Sequence, residues 1–213
     1  MFGWKKAGRL HRNSEMSGAM NGVSFATRGF AAGTKIASNL GWRAVDAMAP
    51  GDMVYTFDND MQPVIDVCRE THWIDADFVP VTHWPILVPA NALGNQNSML
   101  LMADQGIVLE SDLADEEFDD PFAIIRAKDL VGLRGIDRQA PKSPIDVVTL
   151  VFAKEQVIYA QGGALVHCPK STTIVSDLMS GQGPQYTELP RQLAALVVDE
   201  IQAEDALSAR LLA

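Results

Sequence analysis

The chain has 213 residues, of which 47% are hydrophobic and 21% are charged. This length and composition fit one globular domain with extensions, or two small domains, and suffice to bury a hydrophobic core. The 17 basic and 27 acidic residues give a formal net charge of −10, which would repel a phosphate backbone, so we expect no nucleic-acid partner. The sequence has neither a signal-peptide pattern nor a run of 18 apolar residues, which predicts a cytoplasmic protein without a membrane span.

The two cysteines, Cys68 and Cys168, lie a hundred residues apart. They are too few for a disulfide framework and lack the paired spacing of a zinc site. We therefore expect two free thiols, with no metal centre and no cofactor.

Residues 1–28 are rich in Gly, Ser, Met and Asn and show no sustained period of 2 or 3.6. They are predicted to form a loose N-terminal arm.

Short apolar runs follow from Thr34 onward, and turn signals such as "NLG", "APGD" and "DND" separate the first of them. Their spacing predicts an all-β domain, since frequent Pro and Gly residues disfavour long helices. The runs are "TKIAS" (34–38), "DMVYTF" (52–57), "PVIDV" (63–67), "FVPVTHW" (78–84), "PILVPA" (85–90), "SMLLM" (98–102), "GIVLE" (106–110), "FAIIRA" (122–127), "DVVTLVFA" (146–153) and "QVIYAQG" (156–162).

An acidic segment, "ESDLADEEFDD" at 110–120, carries seven carboxylates in eleven positions. Carboxylate oxygens suit a hard cation, but the segment lacks the ordered spacing and central glycine of a calcium loop. A solvated acidic loop is the favoured interpretation, and a cation-binding module is the alternative.

The end of the chain has a different pattern. Residues 171–213 are predicted to form a linker and then an amphipathic helix over 188–213, capped by Thr187 or Glu188. Its apolar face, made of Leu193, Leu196, Val197 and Ile201, is expected to pack on the β domain or on another chain, which would make this helix a route to a protein partner or a homo-oligomer.

Five segments together carry a family resemblance. Residues 29 to about 170 resemble the Hint (Hedgehog/intein) domain, most closely the bacterial stand-alone group of that superfamily. The resemblance implies an all-β Hint-like domain over 29–170, between the arm at 1–28 and the C-terminal segment. The matching segments are "FAAGTKIAS" (30–38), "GWRAVDAMAPGDMVYTFDNDMQPV" (41–64), "PILVPANALG" (85–94), "AIIRAKDLVGLRGI" (123–136) and "EQVIYAQG" (155–162).

The resemblance also locates the residues expected to carry chemistry. Active members attack the preceding carbonyl with a Cys or Ser at the first position of the domain, which here is Gly29. A histidine that assists the leaving amide corresponds to Gly106, and two further positions that are often histidine correspond to Asp129 and Glu155. The resemblance therefore implies a degenerate domain that has lost self-cleavage and acts as a structural or protein-binding module.

An active self-cleaving domain with an unconventional nucleophile is the alternative. For the degenerate domain, by contrast, Gly29→Cys together with Gly106→His is the substitution pair expected to restore thiol-induced cleavage, provided that the scaffold is otherwise intact. In the self-cleaving alternative, the residues that could replace the missing groups are Ser24, Thr27, Thr34, Cys68 and Cys168 as nucleophiles, with His72, His83 and His167 as bases.

Overall fold

The computed structural model describes residues 17–20, 23–72, 77, 79–141, 144–170 and 186–211. Across these residues the chain is built mainly of short β-strands, with two α-helices and four 3-10 turns. The all-β class predicted from the short apolar runs is confirmed.

The strands fall into a hairpin, a six-stranded sheet and a nine-stranded sheet. The strands are β1 Ser17–Met20, β2 Val23–Ala26, β3 Phe30–Ala31, β4 Lys35–Ser38, β5 Gly41–Ala44, β6 Met53–Tyr55, β7 Met61–Pro63, β8 Asp66–His72, β9 Ile86–Val88, β10 Met99–Leu101, β11 Gly106–Glu110, β12 Phe122–Arg126, β13 Asp137–Arg138, β14 Ile145–Val151, β15 Gln156–Ala160, β16 Ala164–Cys168 and β17 Thr187–Glu188. The helices are α1 Asp112–Phe118 and α2 Arg191–Leu211.

The two larger sheets share one hydrophobic core. The six-stranded sheet has the order β13-β9-β10-β3-β14-β8, and the larger one has the order β17-β12-β11-β16-β15-β4-β6-β7, with β5 paired to β4. Phe30 and Leu101 from the first sheet belong to the same buried cluster as Ile36, Ile158 and Val166 from the second. The core therefore lies where the sheets pack together, and it fixes β3, β11 and β16 as neighbours in space.

The "APGD" turn shows how the short strands are joined. Gly51 has a φ of +91°, a conformation that glycine adopts without strain. The Asp52 carboxylate accepts the Ala49 N–H at 2.8 Å and lies 3.0 Å from Arg43 Nη1. The hydrogen bond from Ala49, and then the one from Arg43, lower the pKa of Asp52. The turn is held by these bonds and has a structural role.

Two predicted elements differ from the structure. The run "FVPVTHW" contains a 3-10 turn at Val81–His83 instead of a strand. Proline has no backbone N–H, so Pro80 and Pro85 on either side of this turn cannot donate to a sheet. The arm at 1–28 is also more regular than predicted, because β1 pairs with β2 in an antiparallel hairpin. Residues 1–16 and 21–22 of the arm lie outside the described residues.

The acidic segment at 110–120 is not an open loop. Seven of its residues form α1, whose N-cap Ser111 accepts the Ala114 N–H with its hydroxyl at 3.3 Å. Asp112 and Asp115 lie in the first turn, where carboxylates stabilise a helix N-terminus. Capping and the helix dipole therefore stabilise a helix in a segment whose high charge predicted a loop.

The C-terminal helix forms, with corrected boundaries and a corrected face. It begins at Arg191, directly after Pro190, whereas Thr187 and Glu188 pair with β12 as the parallel strand β17, so neither is its cap. The buried side is made by Ala194, Val197, Val198 and Ile201, and Leu193 packs partly on it. Leu196 is 52% exposed, so its predicted burial was wrong. Throughout the described ranges, no helix is long and apolar enough to cross a membrane.

Candidate functional site

Gly29 lies immediately before β3 and is buried. Its φ is +118°, and a Cβ at this position would lie 2.6 Å from Val147 Cγ1, 3.0 Å from Thr149 Oγ1 and 3.2 Å from the Val148 carbonyl oxygen. A side chain at this position is therefore opposed by the backbone conformation and by β14, which pairs with β3. The surrounding packing therefore leaves no room for a side chain at position 29.

Gln105 is the side chain that binds the Gly29 amide. Its Oε1 accepts the Gly29 N–H at 2.9 Å, and its Nε2 donates to the carbonyl oxygens of His167 at 2.7 Å and Gly106 at 3.2 Å. One residue earlier, the Asp104 N–H donates to the Thr27 carbonyl at 2.7 Å. The chain around Gly29 is therefore held along residues 104–105, an arrangement that sequence reasoning missed because only the fold brings these residues together.

Gly106, the first residue of β11, is also buried against other side chains. A Cβ at this position would lie 2.7 Å from Ile124 Cγ2, 3.2 Å from His167 Cβ and 3.4 Å from His167 Nδ1. The side chain of His167, on the neighbouring strand β16, therefore occupies the space that a larger residue would need. A histidine at position 106 does not fit this packing.

His167 and Glu155 form a pair at the same end of β15 and β16. The distance from His167 Nε2 to Glu155 Oε1 is 2.5 Å, and the His167 ring meets Tyr186 edge to face, with 6.1 Å between centroids. The Tyr186 hydroxyl donates to Asp58, whose pKa is raised by burial and then by the nearby carboxylate of Asp120. A carboxylate that binds an imidazole fixes its orientation. His167 nevertheless connects to Gly29 through its backbone carbonyl, by way of Gln105, and not through its ring.

Asp129 belongs to a network of ion pairs. One carboxylate oxygen lies 3.4 Å from Arg126 Nε, and the other lies 3.9 Å from Arg191 Nε at the start of α2. Glu188 extends the network, at 3.5 Å from Arg126 Nε and 3.2 Å from Arg28 Nη2. These ion pairs connect β12, β17 and α2, so the contacts of Asp129 are those of a structural residue.

Two hydroxyls near Gly29 have different surroundings. Thr34 is buried and donates its hydroxyl to the Ala31 carbonyl at 2.7 Å, so it closes a turn. Thr149 was missed by sequence reasoning, yet its half-buried Oγ1 lies closer than any other side-chain oxygen of the described residues to the empty Cβ position of Gly29. Ser24 lies on β2, but its side chain falls outside the described residues, and Thr27 is half-buried.

The two remaining candidate bases lie elsewhere. His72 is buried on β8, with its Nε2 3.1 Å from Glu70 Oε2, and it pairs with Ile145, four residues along β14 from Thr149. His83 lies at the end of the 3-10 turn Val81–His83. Both therefore lie on elements other than β3 and β14, the strand pair beside Gly29.

Cys168 is buried in the main core, and burial raises the pKa of its thiol from 9.0 to about 12. The thiol is therefore protonated in the folded chain near neutral pH, and it is a poor nucleophile. We expect iodoacetamide at pH 8 to leave Cys168 unmodified in the native protein and to alkylate it once the chain is unfolded in guanidinium. Mass mapping of the cysteine peptides measures this, and rapid native alkylation of Cys168 would reopen it as a nucleophile.

An acidic cluster lies where α1 meets α2. Carboxylate oxygens of Asp112, Glu200 and Glu204 come within 4.8 Å of one another. Glu200 is already engaged, because its oxygens accept the Ser111 hydroxyl at 2.6 Å and the Leu113 N–H at 3.3 Å. The expectation of no metal in this segment remains a prediction.

The family of the chain is given by comparison with known protein families. The family model of the Hint domain matches residues 28–167, and the chain belongs to this family. No curated protein sequence matches the chain.

Several solved structures resemble the chain at low identity. A bacterial intein-like domain from Clostridium thermocellum is 15% identical, with a TM-score of 0.46, and the match covers 67% of this chain and 99% of that one. A splice-inactive variant of the AceL NrdHF class 3 split intein is 11% identical, with a TM-score of 0.45, and the match covers 68% and 99%. The gp41-1 intein is 9% identical, with a TM-score of 0.40, and the match covers 65% and 97%.

Proposed function

We propose that this chain is a Hint domain that has lost self-cleavage and serves as a structural or protein-binding module. One observation carries the proposal: Gly29, at the expected position of the nucleophile, is buried, has a positive φ and leaves no space for a Cβ. An acyl shift begins with attack by a side-chain hydroxyl or thiol on the preceding carbonyl. Without that group the reaction has no first step.

The other family positions support the same conclusion. Gly106 carries no proton donor, and Glu155, which stands where a histidine is expected, binds His167. Asp129 lies among arginine side chains. Because Gly106 has no side chain and the two carboxylates are engaged by these partners, we infer that the leaving group also lacks a proton donor.

The end of α2 is the surface we propose for a protein partner or a second copy of the chain. Residues 206–211 are all exposed, and Leu207 and Leu211 are 59% and 79% exposed. Exposed leucines one turn apart form an apolar stripe that a partner helix can cover. The net charge of −10 disfavours nucleic acid as the partner.

The loss of self-cleavage predicts a stable chain. After expression and prolonged incubation with a thiol, intact mass spectrometry is expected to show the full 23.1 kDa species alone. A fragment that begins at Gly29 would contradict the proposal directly.

The partner surface predicts concentration-dependent association, if the partner is a second copy. Light scattering on the native chain and on a Leu207→Ser, Leu211→Ser variant is expected to show a larger mass for the native chain at high concentration. A matched variant, Gln202→Ser, changes an exposed residue of the same helix that is polar. Identical monomer masses for all three at every concentration would exclude the second copy and leave only a different protein as partner.

Self-cleavage through an unconventional nucleophile is the second candidate function. The observation that favours it is the 3.0 Å distance from Thr149 Oγ1 to the empty Cβ position of Gly29. Attack by this hydroxyl on the Arg28 carbonyl carbon would form an ester, break the bond to the Gly29 nitrogen and pass the hydroxyl proton to that nitrogen. Water would then hydrolyse the ester, which frees the carboxylate of Arg28 and restores the Thr149 hydroxyl. If a fragment beginning at Gly29 is found, Thr149→Val should abolish it and Thr149→Ser should retain it.

A further inference from the structure

We propose that Gln105 is a positioning residue that keeps the Arg28–Gly29 peptide bond intact by presenting a hydrogen-bond acceptor to its nitrogen. The inference rests on the proposed loss of self-cleavage and deepens it. The side chain at position 105, and not the one at position 106, then decides whether the Gly29 nitrogen can receive a proton.

The orientation of the Gln105 amide is fixed by three hydrogen bonds. Oε1 faces the Gly29 N–H at 2.9 Å, and Nε2 faces the carbonyl oxygens of His167 and Gly106. A flipped amide would place an NH₂ group against the Gly29 N–H and an oxygen against two carbonyl oxygens. Because Gln105 is only 4% exposed, water cannot readily compensate those contacts. The acceptor is therefore the group that faces Gly29.

The orientation of the Gln105 amide matters because breaking the peptide bond requires a proton on the Gly29 nitrogen. To cleave after Arg28, a nucleophile must bond to the Arg28 carbonyl carbon, the carbon–nitrogen bond must break, and the Gly29 nitrogen must gain a proton. A carbonyl acceptor binds the N–H of the planar amide and has no proton to give. A protonated imidazole at the same place would donate that proton. Gln105 thus stabilises the uncleaved peptide in a way that a histidine would not.

Position 106 cannot fulfil this role in the present packing. Successive residues at the start of a strand point to opposite faces, so the side chain at 105 reaches Gly29 while position 106 faces Ile124 and His167. A histidine at 106 would meet these neighbours at 2.7 to 3.4 Å from its Cβ. The geometry thus disfavours Gly106→His as the substitution that restores proton donation.

Amide hydrogen exchange on the otherwise unmodified chain is the first test. Gln105→Leu removes the acceptor and is expected to lower the protection of the Gly29 amide at least about tenfold relative to the amides of β12, a buried strand whose protection reports global stability. The matched control is Gln156→Leu, which removes another buried glutamine, bonded to Asn59, and should leave the relative protection of Gly29 unchanged. Unchanged relative protection in Gln105→Leu would overturn the inference.

A designed cleavage assay is the second test. The background variant carries Gly29→Cys and Val147→Ala, because the alanine removes the Cγ1 atom that lies 2.6 Å from the new Cβ position. In this background the introduced sulfur bonds to the Arg28 carbonyl carbon, the peptide bond breaks, and dithiothreitol then releases residues 1–28. Adding Gln105→His is expected to speed release roughly 100-fold, the usual scale of a positioned proton donor. Adding Gly106→His instead is expected to give no gain.

The outcomes separate the two proposals. A fragment from the unmodified chain that begins at Gly29 contradicts the proposed function by itself. An intact unmodified chain, with equal release rates for Gln105 and Gln105→His in the cysteine background, contradicts only the role of Gln105. If the background variant does not fold, as judged by circular dichroism, the exchange experiment decides the question.

Discussion

Replacing Val197 with asparagine is expected to lower the free energy of unfolding by about 3 kcal/mol, because a buried apolar contact is lost and a polar amide enters the core. Val197 is 1% exposed and belongs to the core cluster shared by both large sheets. Its neighbour Leu196 is 52% exposed, and Leu196→Asn is expected to cost about 0.5 kcal/mol or less. Asparagine is chosen because a charge would also interact with Asp199 and Glu200 nearby.

Urea titration followed by circular dichroism measures both variants. The pair is matched, since the two residues are adjacent in one helix and receive the same side chain with the same helix propensity. Equal costs at the two positions would show that α2 does not dock on the β domain through the face seen here. A large cost at Leu196 alone would favour the face predicted from periodicity.

Replacing Gly29 with alanine is expected to lower the free energy of unfolding by about 3 kcal/mol. The backbone conformation at φ +118° disfavours any Cβ, and that Cβ would overlap Val147 Cγ1. Gly33 is the control, because it also has a positive φ, +86°, but has nothing within 4 Å of its Cβ position. Gly33→Ala is expected to cost only about 1 kcal/mol, the conformational part of the penalty.

Thermal and urea denaturation of the two alanine variants separates overlap from backbone strain. Gly29→Cys should be destabilised to a similar degree as Gly29→Ala and should not cleave by itself. If Gly29→Ala proves no more harmful than Gly33→Ala, then β14 can move to accept a side chain at position 29, and packing would not exclude one.

Hydrophobic patterning and family motifs predicted much of the fold. Runs such as "GIVLE" and "FAIIRA" became β11 and β12, since short apolar segments bounded by turn residues can bury themselves best as strands. The same method misplaced a strand at 78–84 and missed α1. At 78–84 the prolines lack the backbone N–H that a strand needs, and at 111–118 the Ser111 cap favours a helix. Both effects are local and leave the pattern of apolar residues unchanged.

The face of α2 could be predicted only in part. Periodicity correctly included Val197 and Ile201 but also chose Leu196. The sequence marks which residues are apolar, whereas the position of the β domain decides which of them it covers. Ala194 and Val198 are buried on α2, whereas Leu196 is 52% exposed.

The sequence by itself determined that residue 29, where the family resemblance predicts the nucleophile, is a glycine and carries no nucleophilic side chain whatever its environment. It also determined the Hint family, through motifs spread over 28–167. Only the tertiary structure decided that Gln105 binds the Gly29 amide and that His167 fills the space beside Gly106. These contacts join residues more than 60 positions apart. The pairing of β11 with β16 and the packing of the two large sheets bring these residues together, and no local sequence pattern encodes either arrangement.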